Sequence, residues 1–265
     1  MSWRLFYKSD QTRIGWVYAA LTAAEPDEVT RAVRRLFVGQ GRLALEFSTL
    51  DRLWARGRIS VTGAEPLLAA RREGLPVIVM GLQLSNWETI APTLVGLGLP
   101  SFKWFYQPRR NRFIDHVLVP ARERCGAELL RPGVTCARIA RRLLVEERGV
   151  LLAFADEERR GRVSAPLFGR PLPARANLLD IARLARVSRA TIIPAYAERL
   201  RGAHFRVTLL PPVELAPEAA DTDVVLNEDI ARLNRTIEPL VLAHLDQWYM
   251  LTEETVAITG GDFHP

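Results

Sequence analysis

The stretch VIVMGLQLSNWETI, residues 77–90, joins an apolar run to a cluster of polar side chains. The run from Pro76 to Met80 predicts a buried strand, because it is short, continuous and rich in β-branched residues. Gly81 and Gln83 follow, then Ser-Asn-Trp-Glu at 85–88, and then a helical pattern. Amides, an indole and a carboxylate directly after a buried strand mark residues 82–89, which we call the junction, as a possible site of chemistry.

Strand and helix patterns alternate along the rest of the chain. Strands are predicted near residues 76–80, 102–106, 127–130, 150–155, 190–197 and 204–210, and helices near 26–47, 64–72, 86–97, 111–125, 134–148, 176–187 and 223–245. Repeated strand-helix-strand units predict an α/β fold whose central sheet is mostly parallel and flanked by helices. Arg201-Gly202 predicts a hairpin between the last two strands, so the sheet is expected to be mixed. We expect residues 26–265 to form a single α/β domain.

In such sheets, binding sites collect at the carboxyl ends of the strands. Three predicted strand ends carry polar clusters, at residues 83–88, 106–112 and 156–162. We therefore expect these three clusters to converge.

The composition of the chain suggests which classes of ligand the protein binds. The chain has 265 residues, 48% of them hydrophobic, and a net charge of +6. Nearly all the basic residues are arginines, since Lys8 and Lys103 are the only lysines, and residues 103–162 hold 14 basic and 8 acidic side chains. Arginine forks bind phosphates and carboxylates, so this middle region suggests phospholipid head groups, a phosphorylated glycolipid, a phosphopantetheine carrier or nucleic acid. The alternative interpretation is that these arginines lie on solvated helix faces and bind no ligand.

The sequence lacks the motifs that are typical of several enzyme classes. No G-x-G-x-x-G follows a predicted strand, and no Walker A, G-x-S-x-G or H-E-x-x-H motif occurs. The four histidines are scattered, and Cys125 and Cys136 have no metal-ligand spacing. These observations argue against dinucleotide, P-loop, serine-hydrolase and zinc chemistry.

Residues 1–25 form a distinct N-terminal segment without the features of a signal peptide or of a span of roughly 18 apolar residues. Its aromatic and basic residues are Trp3, Arg4, Phe6, Lys8, Arg13, Trp16 and Tyr18. Two interpretations stay open: the segment contacts a membrane interface, or it packs its aromatic side chains on the domain. We expect a cytoplasmic protein, either free or peripheral at the inner face of the cytoplasmic membrane.

The junction also has a purely structural interpretation. Ser85 and Glu88 fit the capping box S-x-x-E, in which each side chain bonds the backbone amide of the other residue at the start of a helix. That arrangement would explain both residues without any function. It does not explain why Gln83, Asn86 and Trp87 stand together there.

The junction resembles a known family motif. Gly-x-Gln-Leu-Ser-Asn-Trp-Glu, from Gly81 to Glu88, is similar to the Gly-x-His-x-Gly-Asn-Trp-Glu motif of the bacterial lipid A late acyltransferases, within the lysophospholipid acyltransferase superfamily. Further segments resemble that family in the same order, from about residue 27 to residue 250. They are Val61–Glu65 (v-x-G-x-E), Tyr106–Asn111 (Y/F-R-P-x-x-N-P), Phe154–Asp156 (x-x-D-Q), Pro166–Gly169 (P-F-F-G) and Asp246–Tyr249 (P-E-Q-W/Y).

The resemblance implies a glycerolipid acyltransferase-like fold and a His-x4-Asp/Glu dyad, in which histidine is the general base on the acceptor hydroxyl. This chain departs from that pattern at the base, because Gln83 replaces the histidine, and an amide takes up no proton near neutral pH. It also departs at Gln107, Arg112 and Glu157, and we expect no counterpart of the family's N-terminal membrane anchor.

Three hypotheses remain. In the first, the protein transfers a fatty acyl group from acyl carrier protein or coenzyme A to a hydroxyl or amine acceptor, such as a lipid A-like glycolipid, another lipid or a natural product, with no metal or other cofactor. Gln83, Glu88 and Asp156 are then the expected catalytic residues, with Glu88 or Asp156 as base. The expected substrate-binding residues are Asn86, Trp87, Tyr106, Arg109, Arg110, Asn111, Arg159, Arg160 and Phe168.

In the second hypothesis, the protein is a catalytically inactive relative that binds an acyl chain, a lipid or a partner protein. The third, nucleic-acid binding through the arginine-rich middle, is disfavoured, because glutamates interleave the arginines and no aromatic stacking motif accompanies them.

Overall fold

The computed structural model describes residues 2–99, 101–108, 112–158, 163–171, 176–218 and 222–253. Its strands are β1 (Ile59–Thr62), β2 (Val77–Gly81), β3 (Phe102–Phe105), β4 (Ala127–Leu130), β5 (Val150–Phe154), β6 (Thr191–Arg199) and β7 (Phe205–Leu209). Its α-helices are α1 (Ser2–Thr22), α2 (Pro26–Glu46), α3 (Leu50–Ala55), α4 (Glu65–Arg72), α5 (Ile90–Gly96), α6 (Arg112–Arg124), α7 (Val134–Val145), α8 (Asn177–Ser188) and α9 (Thr222–Ala243). Short 3-10 helices span Phe47–Thr49, Trp87–Thr89, Leu245–Gln247 and Tyr249–Thr252.

The seven strands form one sheet in the order β1-β7-β6-β2-β5-β3-β4. β2, β3, β4, β5 and β6 are mutually parallel, whereas β6 and β7 form the predicted antiparallel hairpin. β1, at the edge of the sheet, pairs with β7 in parallel, so β1 and β7 run opposite to the other five strands. The predicted mixed, mostly parallel α/β sheet is confirmed.

β2 shows why the central strands are apolar at every position. Ile78 and Met80 belong to one buried cluster, which contains residues of α1, α2, α7, α8 and α9. Val77 and Val79 belong to a second cluster, with residues of α3, α4 and α5. Because successive strand side chains point to opposite faces, a strand covered on both faces has no polar positions.

Three elements were not predicted. α3 has only six residues, Leu50–Ala55. β1 is only four residues long, and its pattern ISVT does not stand out from a loop. α1 covers the N-terminal segment, where Tyr18 is buried and Trp16 is 53% exposed. Tyr18 therefore packs on the domain instead of forming an interfacial surface. Within the described residues, no helix combines the length and the apolar character needed to cross a bilayer.

Gly63 tests the packing of the β1 edge. Its φ of +72° is in the left-handed region, and an added Cβ would lie 2.1 Å from the carbonyl oxygen of Leu209 on β7. We expect Gly63→Ala to lower the free energy of unfolding by about 3 kcal/mol, since both backbone strain and a backbone clash oppose it. Denaturant unfolding measures this change.

The matched control is Gly41→Ala. Gly41 lies inside α2, and an added Cβ there meets nothing within 4 Å. This variant should gain about 0.5–1 kcal/mol from helix propensity. Equal stability of the two variants would contradict the packing described for the β1 edge.

Candidate active site

The junction leaves the sheet between β5 and β6. The amide of Leu82 donates to the Ala195 carbonyl on β6 (3.0 Å), and the amide of Ala155 after β5 donates to the Gly81 carbonyl (3.0 Å). Gly81 is required here, because an added Cβ would lie 2.6 Å from the Phe154 ring. The segment therefore starts from a fixed point among the central strands.

Gln83 is held through its backbone. Its N–H donates to both carboxylate oxygens of Asp156, at 2.9 Å (Oδ2) and 3.2 Å (Oδ1), and its carbonyl accepts from the amide of Tyr249 at 3.0 Å. The residue is 3% exposed. Among the residues that the structure describes, no hydrogen bond engages its side-chain amide. A fixed backbone thus carries an amide that can bind a ligand.

Asp156 follows β5 and is fully buried. Besides the Gln83 amide, it accepts the indole N–H of Trp248 at 2.8 Å. Burial raises the pKa of Asp156 to about 6, although the hydrogen bonds from Trp248 and Gln83 lower it. The carboxylate ties together the ends of two chain segments that are 92 residues apart.

Phe168 belongs to the same cluster. Its ring packs edge-on against Trp248, with ring centroids 5.7 Å apart, and its backbone N–H donates to Glu238 of α9 at 2.8 Å. Phe168 therefore contacts Trp248, whose indole N–H bonds Asp156, and Asp156 in turn accepts the Gln83 backbone N–H.

Glu88 has a different partner from the one that the capping box predicts. Its two carboxylate oxygens accept from Nε (2.9 Å) and Nη2 (2.6 Å) of Arg122 on α6. Both residues are buried, and the guanidinium lies 4.2 Å from the centroid of the Trp104 ring. This is a bidentate buried ion pair, a geometry that satisfies both charges.

The capping-box interpretation is wrong. The hydroxyl of Ser85 has no partner among the described residues, and the 3-10 helix at 87–89 starts after Asn86 without a side-chain cap. The physical reason is that a buried guanidinium binds the Glu88 carboxylate through two charged hydrogen bonds, which are stronger than one bond to a backbone amide. The predicted helix at 86–97 accordingly begins as a 3-10 turn.

Ser85 adopts an unusual conformation for its residue type. Its φ is +53°, in the left-handed region, and its N–H donates to the Gln247 carbonyl at 2.8 Å. The motif that the junction resembles has glycine at this position. A serine therefore holds strained backbone here, together with an unpaired hydroxyl.

Asn86 links the junction to α2. Its Nδ2 donates to Oε2 of Glu46 at 2.8 Å, and Glu46 in turn accepts two hydrogen bonds from Arg199, at 2.7 Å and 2.8 Å. Asn86 is fully buried, and its Oδ1 has no partner among the described residues.

Trp87 and Tyr106 make two further ring contacts at the site. The Trp87 ring meets the Tyr249 ring edge-on, with centroids 4.8 Å apart. Tyr106 follows β3, and its ring centroid lies 5.4 Å from the Arg122 guanidinium carbon. Burial raises the pKa of Tyr106 to about 12, so its phenol stays protonated near neutral pH and offers no base.

The structure thus gathers most of the predicted residues around one segment. Asp156 accepts a hydrogen bond from the Gln83 backbone. Phe168 packs on Trp248, whose indole bonds Asp156, and Tyr106 lies next to Arg122, which binds Glu88. Five predicted residues lie outside the described part of the chain, namely Arg109, Arg110, Asn111, Arg159 and Arg160.

Three residues of the site were missed. Arg122, Glu46 and Arg199 belong to none of the motifs, and Glu46 and Arg199 are 153 residues apart. The buried position of Glu88 next to an indole offered one signal, because a buried carboxylate requires a cationic partner, but the sequence contains too many arginines to choose among.

The raised pKa of Asp156 predicts how the stability of the protein depends on pH. Its pKa in the folded protein, about 6, is above its ordinary value of 3.8. Its contribution to stability is therefore complete below pH ~3.8 and is lost as the pH rises through about 6, a loss of about 3 kcal/mol at 1.36 kcal/mol per pKa unit. The neutral variant Asp156→Asn lacks this loss, so its stability relative to wild type should rise by that amount between about pH 4 and pH 8.

Denaturant unfolding at the two pH values measures the difference. Asp27→Asn, which changes an exposed carboxyl group on α2, is the control and should follow wild type. If Asp156→Asn shows the same pH dependence as wild type, Asp156 does not titrate as described.

Comparison with known proteins identifies the family of this chain. The family profile described as bacterial lipid A biosynthesis acyltransferase matches residues 22–254. No curated protein matches the chain. The matched range includes every junction contact described above. The chain belongs to the bacterial lipid A biosynthesis acyltransferase family, whose members transfer an acyl group from a donor to a lipid acceptor.

Proposed function

We propose that the protein transfers a fatty acyl group from a thioester of acyl carrier protein or coenzyme A to an amine or hydroxyl of a lipid acceptor, and that Gln83 positions the acceptor. The observation that carries the proposal is the Gln83 amide, which stands where the resembled motif has its histidine. It has no hydrogen-bond partner among the described residues, while its backbone is bonded on both sides.

Gln83 suits orientation but not proton transfer. Its amide can donate to and accept from an acceptor group, but it takes up no proton near neutral pH. Loss of a general base typically costs about 10²–10⁴-fold in rate. Correct placement of the two reactants supplies a separate part of the rate enhancement, and this part needs no base.

We propose a positioning role for Glu88. Both of its oxygens accept from Arg122, so Arg122 would have to move before Glu88 could take a proton. In the proposed reaction Glu88 remains an anion and holds α6 against the junction.

Asp156 is likewise proposed to act through another residue. Its bonds to the Gln83 amide and to the Trp248 indole fix the backbone from which the Gln83 side chain extends. Its raised pKa makes it the stronger candidate if a carboxylate of this site does serve as the base.

The arrangement favours an amine acceptor over a hydroxyl. A neutral amine attacks the thioester carbonyl without prior loss of a proton, after which the C–S bond breaks, the thiolate leaves and the amine proton passes to the thiolate or to water. A hydroxyl must lose its proton as it attacks, and this step needs a base.

Phosphate groups of the donor or the acceptor are assigned in this proposal to Arg109 and Arg110, with Asn111, and to Arg159 and Arg160. These segments follow β3 and β5 in the chain; β5 is next to β2 in the sheet, and β3 is next to β5. Peripheral contact with the inner face of the cytoplasmic membrane is also part of the proposal, and the exposed Trp16 on α1 supports it.

One set of observations favours a second candidate function. Gln83 removes the base, and the Glu88–Arg122 pair engages the other dyad position. A protein of this kind could bind an acyl chain, a lipid or a partner protein without consuming a thioester.

Acyl transfer measured by mass spectrometry separates the two functions. Wild type, Gln83→His and Gln83→Ala are incubated with acyl carrier protein and coenzyme A thioesters of several chain lengths, with amine and hydroxyl lipid acceptors. We expect product from wild type with amine acceptors, a loss of about tenfold or more in Gln83→Ala, and a gain with hydroxyl acceptors in Gln83→His, which regains a base. Product from Gln83→His alone would support the inactive relative.

Glu88 needs a matched design, because a single substitution leaves Arg122 buried and unpaired at a cost of about 3–5 kcal/mol. The double variant Glu88→Leu with Arg122→Met removes both charges at similar volume. If it folds and keeps transfer with the amine acceptor, Glu88 is not the base. Complete loss of transfer in a folded double variant would contradict the positioning role.

A further inference from the structure

The side-chain amide of Asn86 is held in one orientation by an ion pair. Its Nδ2 donates to Oε2 of Glu46 at 2.8 Å, and Arg199 donates to both oxygens of Glu46, at 2.7 Å and 2.8 Å. The side chains of Glu46 and Arg199 are only 13% and 12% exposed. Because Glu46 is paired with a guanidinium, it is an anion that only accepts hydrogen bonds, so the nitrogen of Asn86 must face it. The oxygen of the same amide therefore faces away from Glu46.

The free oxygen of this amide is an acceptor without a donor. Asn86 is fully buried, and its Oδ1 accepts no hydrogen bond from any described residue. Buried polar atoms in proteins nearly always have a partner, because removing them from water without one costs free energy. An acceptor that is fixed in orientation and left without a donor points to a ligand that brings an N–H or O–H group.

Gln83 places a second side-chain acceptor in the same segment. Its backbone is bonded on both sides, whereas none of the described residues bonds its side-chain amide. Gln83 and Asn86 are three residues apart, at most about 10 Å along an extended chain, so one small ligand can contact both side chains. Ser85, which lies between them, lines a cleft of about 460 Å³ and thus places an opening within two residues of each amide.

We propose that Oδ1 of Asn86 and Oε1 of Gln83 each accept one N–H of the attacking amine, and that the Glu46–Arg199 pair positions Asn86 for this contact. This inference rests on the proposed function and assigns Asn86 as the residue that determines its preference for an amine. Glu46 and Arg199 touch no substrate in this assignment and act only through the orientation of the Asn86 amide.

A primary amine fits two acceptors better than a hydroxyl does. It has two N–H donors, so it can bond both acceptors and keep its lone pair for the thioester carbonyl. A hydroxyl has one O–H, and it must lose that proton in the reaction. As the C–N bond forms, the nitrogen gains positive charge, which strengthens both hydrogen bonds; the C–S bond then breaks, the thiolate leaves, and the proton passes to the thiolate or to water. The contact with Asn86 therefore stabilises the transition state of the amine reaction more than its ground state.

Acyl transfer to hexylamine by the full chain tests the proposal, with coenzyme A thioesters of several chain lengths and correction for the reaction without protein. Asn86→Leu leaves Glu46 paired with Arg199, so it creates no unpaired buried charge. We expect this variant to lower the rate by about tenfold or more, the loss of one hydrogen bond to a charged group. In the Gln83→His background, where an imidazole takes the hydroxyl proton, Asn86→Leu should change transfer to hexanol by less than about threefold. An equal loss in the two reactions would mean a merely structural role and would overturn the proposal.

An exchange of the amide and the carboxylate guards against loss of activity through unfolding. In the double variant Glu46→Gln with Asn86→Asp, the amide at position 46 donates to the carboxylate at position 86, whose second oxygen remains an acceptor. We expect this variant to transfer to hexylamine within about threefold of wild type. Glu46→Gln alone should lower the rate several-fold, because an amide at position 46 lets Asn86 turn either its nitrogen or its oxygen toward it. A double variant that is folded and as slow as Asn86→Leu would contradict the positioning role.

Asn177→Leu is the matched control. Asn177 on α8 is also buried, its Nδ2 donates to the Phe154 carbonyl at 2.9 Å, and its Oδ1 has no partner in the described part of the chain, but it lies outside the junction. This variant loses a buried amide of the same kind, and its transfer to hexylamine should stay within about threefold of wild type. A loss as large as that of Asn86→Leu would overturn the assignment to Asn86.

A binding measurement separates this inference from the proposed function. Hexylamine is protonated at pH 7 and so carries the charge that the nitrogen gains during attack. Calorimetric titration to about 10 mM should show saturable binding to wild type, binding about tenfold weaker to Asn86→Leu, and weaker binding of hexanol than of hexylamine. Absent binding of hexylamine, or equal binding to the two proteins, overturns the inference. Binding that depends on Asn86 without any acyl transfer would support the inference and reject the proposed function, whereas transfer to hexylamine that Asn86→Leu leaves unchanged would do the reverse.

Discussion

The buried carboxylate of Asp156 is the contact on which the rest of the site depends. It accepts the backbone N–H of Gln83 and the indole N–H of Trp248, and thereby joins the end of β5, the junction after β2 and the segment after α9. Phe168 packs on the same indole, and the amide of Tyr249 bonds the Gln83 carbonyl. Because these segments are far apart in sequence, their meeting at one anion sets the geometry of the junction.

The junction separates two tasks that a histidine would combine, since a histidine can both orient an acceptor and take its proton. Gln83 keeps the first ability and lacks the second. The Glu88–Arg122 ion pair is consistent with this division, because both carboxylate oxygens are occupied by a guanidinium. Under the proposed function, an acceptor that needs little help from a base, such as an amine, fits this set of groups better than a hydroxyl.

Periodicity predicted the sheet and its late hairpin, and the order of the motifs indicated which segments form the candidate site. The central strands were predictable because burial on both faces leaves continuous apolar runs such as Val77–Met80. β1 was not predictable, since a short edge strand carries too few residues for a pattern. The partners of Glu88 and Asn86 were not predictable either. The packing of α6, α2 and β6 brings Arg122, Glu46 and Arg199 to the junction. The sequence indicated only that a buried carboxylate needs a cationic partner, and many of its arginines could have been that partner.

In the proposed function, acyl transfer proceeds without any general base supplied by the protein. The pH dependence of the transfer rate to an amine lipid acceptor, at saturating thioester from about pH 5 to pH 9, tests it most directly. We expect the rate to follow the fraction of unprotonated amine and to show no further ionisation. A second ionisation near pH 6 that disappears in Asp156→Asn would contradict it, because Asp156 would then be the base.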